Sequence, residues 1–424
     1  MTTISTRGNN SRHLLNIALF AGIFEWYEFS IYGFMSGILG PLFFSSNNPI
    51  SAALSVYTVF AFSYFARPLG GLFFGRMGDT LSRGHALKLS LMTMAIPTAL
   101  IGLLPTYAQA GYWATIALCL LRLIQGFGVG GEFPNSICYV FDEAPSRYKI
   151  LLGSITCAST SVGMLLGSSV IAGLHSCFDI QTIHNGAWRI PFLLGIPLTA
   201  CIAFMRRSIV ESETFKAPLK TDKQSISFGI WERLYAERYN VLTVVLIGAL
   251  LTTCSNLTLI WMPFYLTHFI HVSSQLASLT NTLTLVFEIG VLAIAGYYIY
   301  FLPAERILKI LHLSLLLLAY PLFQAISSGH ILGIIIGQLT LAFFVGSINA
   351  CFIAILGRLL PDDIRSLGAS IVFAISPAFF GGIAPLLSTW LTHQTGLLAA
   401  PAFIIVGLAL LTLPATLYLK SGHK

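Results

Sequence analysis

Apolar runs of about 20 residues recur along this chain, and a run of that length reads as a membrane-spanning helix, because nothing in hydrocarbon can satisfy free backbone groups. Six lie in the first part, roughly at 14–40, 51–75, 87–105, 112–140, 150–174 and 188–205. Six more lie roughly at 241–267, 275–300, 306–326, 330–356, 367–391 and 400–419. The polar stretch Arg206 to Arg238 separates the two sets. The pattern predicts an all-α membrane protein of twelve spans, with one six-helix half over 1–205, a linker over 206–240 and a second half over 241–424. Composition agrees. Hydrophobic residues make up 56% of the 424 and charged residues 9%, against about a quarter charged in a soluble domain. The surface must therefore face lipid. The net charge of +7 is spread between the apolar runs, so it is no nucleic-acid signal. Residues Met1–Arg12 are polar and the apolar stretch after them is too long for a signal peptide, which makes it a first span.

Lysine and arginine set the orientation. Arg7 and Arg12 precede the first run, Arg76, Arg83 and Lys88 surround the 2–3 loop, and Arg147 and Lys149 lie in the 4–5 loop. Seven more crowd the centre, from Arg206 to Arg238, and Arg306, Lys309, Arg358, Arg365, Lys420 and Lys424 follow at alternate loops. Opposite loops such as Ser45–Ser51 and Tyr107–Gly111 have none, and Arg189 alone lies near that face. The positive-inside rule then places both termini in the cytoplasm and requires an even number of spans. The linker reads as a tether with a short amphipathic helix over Ile230–Tyr239. Six of the seven cysteines lie inside apolar runs, Cys177 falls in a loop, and no CxxC pair offers a metal site. The halves echo each other: Pro145, Lys149 and Gly153 follow run 4, and Pro361, Arg365 and Gly368 follow run 10. Internal symmetry of that kind marks secondary transporters.

Two motifs make the architecture specific. Arg67-Pro68-Leu69-Gly70-Gly71 runs into Gly75-Arg76-Met77-Gly78-Asp79 and Arg83, and this resembles the 2–3 loop signature of the major facilitator superfamily. Arg122-Leu123-Ile124-Gln125-Gly126, followed by Gly130-Gly131-Glu132, resembles the RxxQGxxxGGE signature of its metabolite:proton symporter branch. Glu25-Trp26-Tyr27-Glu28-Phe29 with Tyr32-Gly33, Trp188-Arg189-Ile190-Pro191-Phe192, and Gly381-Gly382 with Ala384-Pro385 extend the resemblance over most of the chain. It implies the major facilitator fold, and uptake of osmolytes such as proline and betaine, or of organic acids, coupled to protons. Arg67, Gly75, Asp79, Arg83 and Arg147 then form the gating motif, with a purely topogenic charge cluster as the alternative. The sequence departs from the branch at Glu28, where Asp is usual, and at Ser82 and Gly84. The loop Gly296–Tyr300 has lost its acidic residue, so gating in the second half is expected to differ.

Ionisable residues inside spans are costly and usually functional. Glu25 and Glu28 are three apart on one face of run 1, and Gln125 and Glu132 share a face of run 4 with Arg122 nearby. An arginine neutralises a carboxylate of either protein or substrate, so one that moves switches proton binding. Glu28 and Glu132 are the leading proton carriers, with Arg122 as switch or substrate anchor, and Glu25 and Glu288 as further candidates. A static ion pair between runs 1 and 4 is the alternative. Tyr27, Tyr32, Gln125, Asn256, Trp261, Tyr265, Asn281, Gln338 and Asn349 are candidates for the substrate cavity, and the aromatic rings suit a quaternary ammonium group. For Trp261 and Tyr265 interfacial anchoring is favoured. His268 and His271 lie near the same end in an ordinary loop role. No metal site or bound cofactor is expected beyond the coupling proton. The partners expected are a small solute and membrane lipid, without nucleic acid, for a monomer in a bacterial-type inner membrane. A drug exporter is disfavoured because run 5 carries Gly163 and Gly167 without a proline, and a non-transporting sensor because no sizeable soluble domain is present. No P-loop, HExxH or GxSxG motif supports an enzyme.

Overall fold

The computed structural model describes residues 22–46, 48–80, 83–130, 149–201, 232–299, 301–361 and 364–419, with the side chains at 75, 78–80, 83, 84, 86, 87 and 366 excepted. The described residues are helical and contain no strand. The long helices are α1 (22–34, resuming after a turn at Met35 as Ser36–Phe43), α2 (Pro49–Thr80), α3 (Arg83–Leu103), α4 (Tyr112–Val129), α5 (Lys149–Cys177) and α6 (Ala187–Cys201). They continue as α7 (Arg238–His268), α8 (Ser274–Tyr298), α9 (Ala304–Ser327), α10 (Ile331–Leu359), α11 (Leu367–Thr395) and α12 (Pro401–Tyr418). Among the described residues nine of these are long and apolar enough to cross a membrane, while 88–103 in α3 and α6 are shorter apolar helices. Of the expected linker, 206–231 lies outside the described residues, and 232–236 are helical.

Lipid offers helices no hydrophobic drive to associate, so close backbone packing at small residues has to supply it. The glycines of the two motifs do this. A side chain at Gly70 would strike the Phe127 carbonyl, one at Gly126 the Ser63 carbonyl, and one at Gly130 the Arg67 carbonyl. Helices α2 and α4 therefore cross backbone to backbone. Gly163 lets α5 approach α1 at the Ile23 carbonyl, and Gly346 lets α10 approach the Glu288 carbonyl of α8. Bulky residues such as Leu72, Ile116, Leu317 and Leu410 point outward, where lipid replaces water as solvent.

The first six helices meet the last six mainly through α5, which packs along α8, and through α1 and α2 against α7 and α11. Arg76, Lys88, Lys149, Arg238, Arg306, Lys309, Arg358 and Arg365 sit near the helix ends on one side of the bundle, here the basic end. Arg189 belongs to the opposite end, where its guanidinium donates to the carbonyls of Gly102 and Leu104 at 2.9 and 2.7 Å. At the basic end Glu305, itself buried, pairs with half-exposed Arg358. That pair joins α9 to α10 and supplies an acid five residues beyond the loop Gly296–Tyr300.

Two helices are broken by π-turns, Asn256–Trp261 in α7 and Pro377–Gly381 in α11. Such bulges frequently occur at functional sites. Here Asn256 and Pro377, the first residue of each, face the same central cavity.

Candidate functional site

A cavity of about 100 Å³ lies between the two sets of helices. Glu25 and Trp26 of α1, Tyr64 and Arg67 of α2, Thr160 and Ser161 of α5, Asn256 of α7, Glu288 of α8, Asn349 of α10 and Ser370 of α11 line it. Glu25, Arg67 and Glu288 are all buried from bulk solvent.

Arg67 is clamped among rings. Its guanidinium lies 4.1 Å from the Tyr64 ring centroid, 4.4 Å from Phe29 and 5.7 Å from Trp26. The Glu25 carboxylate lies within electrostatic reach. Arg67 Nε and Nη2 and the Trp26 indole N–H have no hydrogen-bond acceptor among the described residues. Across the cavity Glu288 faces the Ser161 hydroxyl, and its Oε2 has no donor. Arg67 and Trp26 thus stand on one side of the cavity and Glu288 on the other, with these unpaired atoms buried in the wall.

Behind the cavity, inside the first six helices, stands a second acid–arginine unit. Arg122 of α4 is fully buried. It donates to Gln125 Oε1 at 2.9 Å and to Ser63 Oγ at 3.4 Å, and it lies 4.0 Å over the Tyr32 ring. Glu28 is buried beside it, close to Gly195 of α6, and neither carboxyl oxygen has a hydrogen-bond partner. The Thr98 hydroxyl faces Glu28, yet it already donates to the Met94 carbonyl at 2.9 Å and accepts from Gln125 Nε2. One helical turn of α1 therefore separates an acid in the cavity, Glu25, from an acid in the closed interior, Glu28.

The remaining candidates fall into place around these two units. Asn256 and Asn349 line the cavity. Tyr27 donates to the Pro191 carbonyl at 2.8 Å, Tyr32 to the Val56 carbonyl at 3.3 Å, and neither lines it. Asn281 donates to Ser168 at 3.2 Å, and Gln338 Oε1 meets the Thr284 hydroxyl at 3.0 Å. Glu132 and Arg147 lie outside the described residues, as do the side chains at Gly75, Asp79 and Arg83.

Two expectations are corrected. Trp261 and Tyr265 are not interfacial anchors, since both are fully buried. The Trp261 indole donates to Thr389 Oγ1 at 2.8 Å and Tyr265 to the Leu398 carbonyl at 2.6 Å, so they tie α7 to α11 and to the segment before α12. The π-turn rotates them inward. Arg67 lies within α2, which continues to Thr80, about 20 Å further at 1.5 Å per residue. Arg122 with Glu28 does not face the central cavity, because Gly126 draws α4 so close to α2 that the pair is sealed in. Trp26, Tyr64 and Ser161 were missed. Tyr64 carried a signal, since it lies three before Arg67 on one helix face.

The cavity is closed toward the end opposite the basic one. Ser168 of α5 meets Thr282 of α8 at 2.9 Å, and Tyr57 of α2 packs edge-on against Phe264 of α7 at 5.5 Å. Among the described residues no group of three or more His, Cys, Asp or Glu is placed to hold a metal ion.

Comparison with known proteins agrees with this geometry. Residues 14–225, half of the chain, match the family described as "Sugar (and other) transporter". A glycine betaine/proline/ectoine/pipecolic acid transporter, OusA of Dickeya dadantii (strain 3937), is 29% identical over 96% of this chain and 83% of its own length. A putative proline/betaine transporter of Staphylococcus aureus (strain COL) is 30% identical over 91% of this chain and 83% of its own. Among solved structures, a D-xylose–proton symporter superposes with a TM-score of 0.78 at 17% identity, covering 96% of each chain. The human organic anion transporter MFSD10 gives 0.68 at 14% identity, covering 96% of this chain and 99% of its own.

Proposed function

The chain belongs to the "Sugar (and other) transporter" family of the major facilitator superfamily, and from that premise we propose that it takes up a small zwitterion of the betaine or proline type together with protons. The observation that carries this reading is the charge arrangement of the cavity: Arg67 with Trp26 on one wall and Glu288 on the other. A solute carboxylate satisfies the arginine, and its ammonium faces Glu288 and the rings of Trp26 and Tyr64.

The proton belongs to Glu28. A buried carboxylate with no donor is costly, and a proton on it removes that cost. Arg122 is held instead by Gln125, Ser63 and the Tyr32 ring. When α1 and α4 shift during alternating access, Arg122 reaches Glu28 and the proton leaves. Because Glu25 and Glu28 share a helix, occupancy of the cavity and protonation of the interior act on the same element. Glu25 offsets the buried charge of Arg67.

The two sets of six helices rock about this site, as in secondary transporters built from repeats. Twelve spans, both termini in the cytoplasm and a monomer in the inner membrane of a bacterial cell complete the proposal. The clustering of basic residues at one end supports this orientation. With the basic end cytoplasmic, the closure at Ser168–Thr282 and Tyr57–Phe264 seals the outer side.

Proteoliposomes test the function. With an inward proton gradient, labelled glycine betaine or proline should accumulate, and a protonophore should abolish the accumulation. Accumulation only against an outward gradient would make it an exporter, and binding without flux would make it a sensor.

A further inference from the structure

A second cavity, of about 400 Å³, lies at the end opposite the basic one, outside the Ser168–Thr282 closure. It is larger than the central cavity and is built from both sets of helices. Three histidines line it from three separate elements: His175 near the end of α5, His184 on the short helix Ile180–Asn185, and His268 at the end of α7. All three are half-buried. The lining includes hydroxyl groups, those of Ser168, Thr267 and Ser278 among them, and among the described residues contains no Asp, Glu, Lys or Arg.

The charge surroundings are simple. Helices α1, α2 and α8 contribute only apolar, backbone and hydroxyl surface to the wall. His271 is the further titratable group acting on His268, and Asp179 engages Thr182 at the start of the short helix. The orientation of His268 is defined. Its Nδ1 lies 2.8 Å from the Thr267 hydroxyl and 3.3 Å from the Phe264 carbonyl. The ring stacks on Phe264 at 4.2 Å and its other edge lies against Gly37 of α1.

We infer that this vestibule is a second binding site, selective for a small solute bearing a carboxylate, which the three imidazoles hold when protonated. Neutral imidazoles also ligate transition metals, but the three are not placed as a metal-holding group. Absence of any acidic side chain on the wall removes the competitor such an anion would meet. Burial pushes the His184 imidazole below its ordinary value, so charging of the empty site is opposed. Anion binding favours the protonated rings, and affinity therefore rises as pH falls. The site is distinct from the central cavity, and its test does not involve transport.

Propionate is the probe, measured by equilibrium dialysis with the purified full chain in nanodiscs. Binding should be at least tenfold tighter at pH 5.5 than at pH 8. The acid-enhanced component should be lost in the His175→Gln, His184→Gln, His268→Gln triple variant. A wild-type measurement guards against misfolding of the triple variant: propionate should slow diethylpyrocarbonate modification of His175, His184 and His268, read peptide by peptide. Binding that ignores pH, an acid-enhanced component that survives the triple variant, or three histidines left unprotected overturns the proposal. So does histidine-dependent binding of zinc with none of propionate.

Discussion

Tyr64 of α2 and Asn256 of α7 meet across the middle of the transporter, where Asn256 Nδ2 donates to the Tyr64 hydroxyl at 3.3 Å. The tyrosine ring rests on Gly382 of α11 and beneath the Arg67 guanidinium. One side chain thus touches the cavity arginine and both π-turned helices of the other half. Tyr64→Phe keeps the ring and removes the bond. A bond of this kind contributes about 0.5–1.5 kcal/mol, so the balance between inward and outward forms should move about two- to tenfold. Accessibility of a reporter cysteine on either side of the membrane reads that balance.

Arg67 combines charge with a flat face that stacks on Tyr64 and Phe29. Arg67→Lys keeps the charge and loses the stacking and the fork. The KM for a zwitterionic substrate should rise about tenfold or more, equivalent to about 1.4 kcal/mol, while a solute lacking a carboxylate should compete no worse than before. Uptake kinetics in vesicles check both.

Gly126 lets α4 touch the Ser63 carbonyl of α2. Gly126→Leu must separate the two helices. Overpacking of this kind costs about 1–3 kcal/mol, and here it also breaks the Arg122–Ser63 contact. The variant should melt at lower temperature and lose uptake, while Gly407→Leu, where a side chain meets open space, should do neither. A thermal-unfolding series in detergent reads the difference.

Buried Glu305 pairs with Arg358 at the basic end. Arg358→Ala leaves that acid short of a partner. Loss of a fully buried pair costs about 3–5 kcal/mol, and with Arg358 half exposed we expect about 1–3 kcal/mol. Glu305→Ala with Arg358→Ala together should be less damaging than Arg358→Ala alone. A double-mutant cycle on thermal stability measures the coupling.

Nine of the spans and the glycine contacts were legible because hydropathy and close packing leave marks on local sequence. Helix boundaries moved little: run 8, read as 275–300, is the helix Ser274–Tyr298. The site was less legible because facing is a tertiary property. Glu25 and Glu28, three apart, look equivalent on a helical wheel, yet one lines the cavity and the other is sealed behind it by α4 and α6. Arg67 sat inside a recognisable motif, so its place in the cavity was hidden by the motif's association with the turn. The π-turns at Asn256 and Pro377 shift the register of everything after them, and no local pattern announced them. Trp261 and Tyr265 were misplaced for that reason.

The central claim is that Glu28, not a cavity acid, carries the coupling proton. Its most direct test is Glu28→Gln in proteoliposomes, with accumulation driven by an imposed pH gradient compared against solute counterflow in the same preparation. The account predicts that accumulation disappears while counterflow stays within about twofold of wild type, roughly 0.4 kcal/mol in barrier. Accumulation retained at the wild-type level would contradict it.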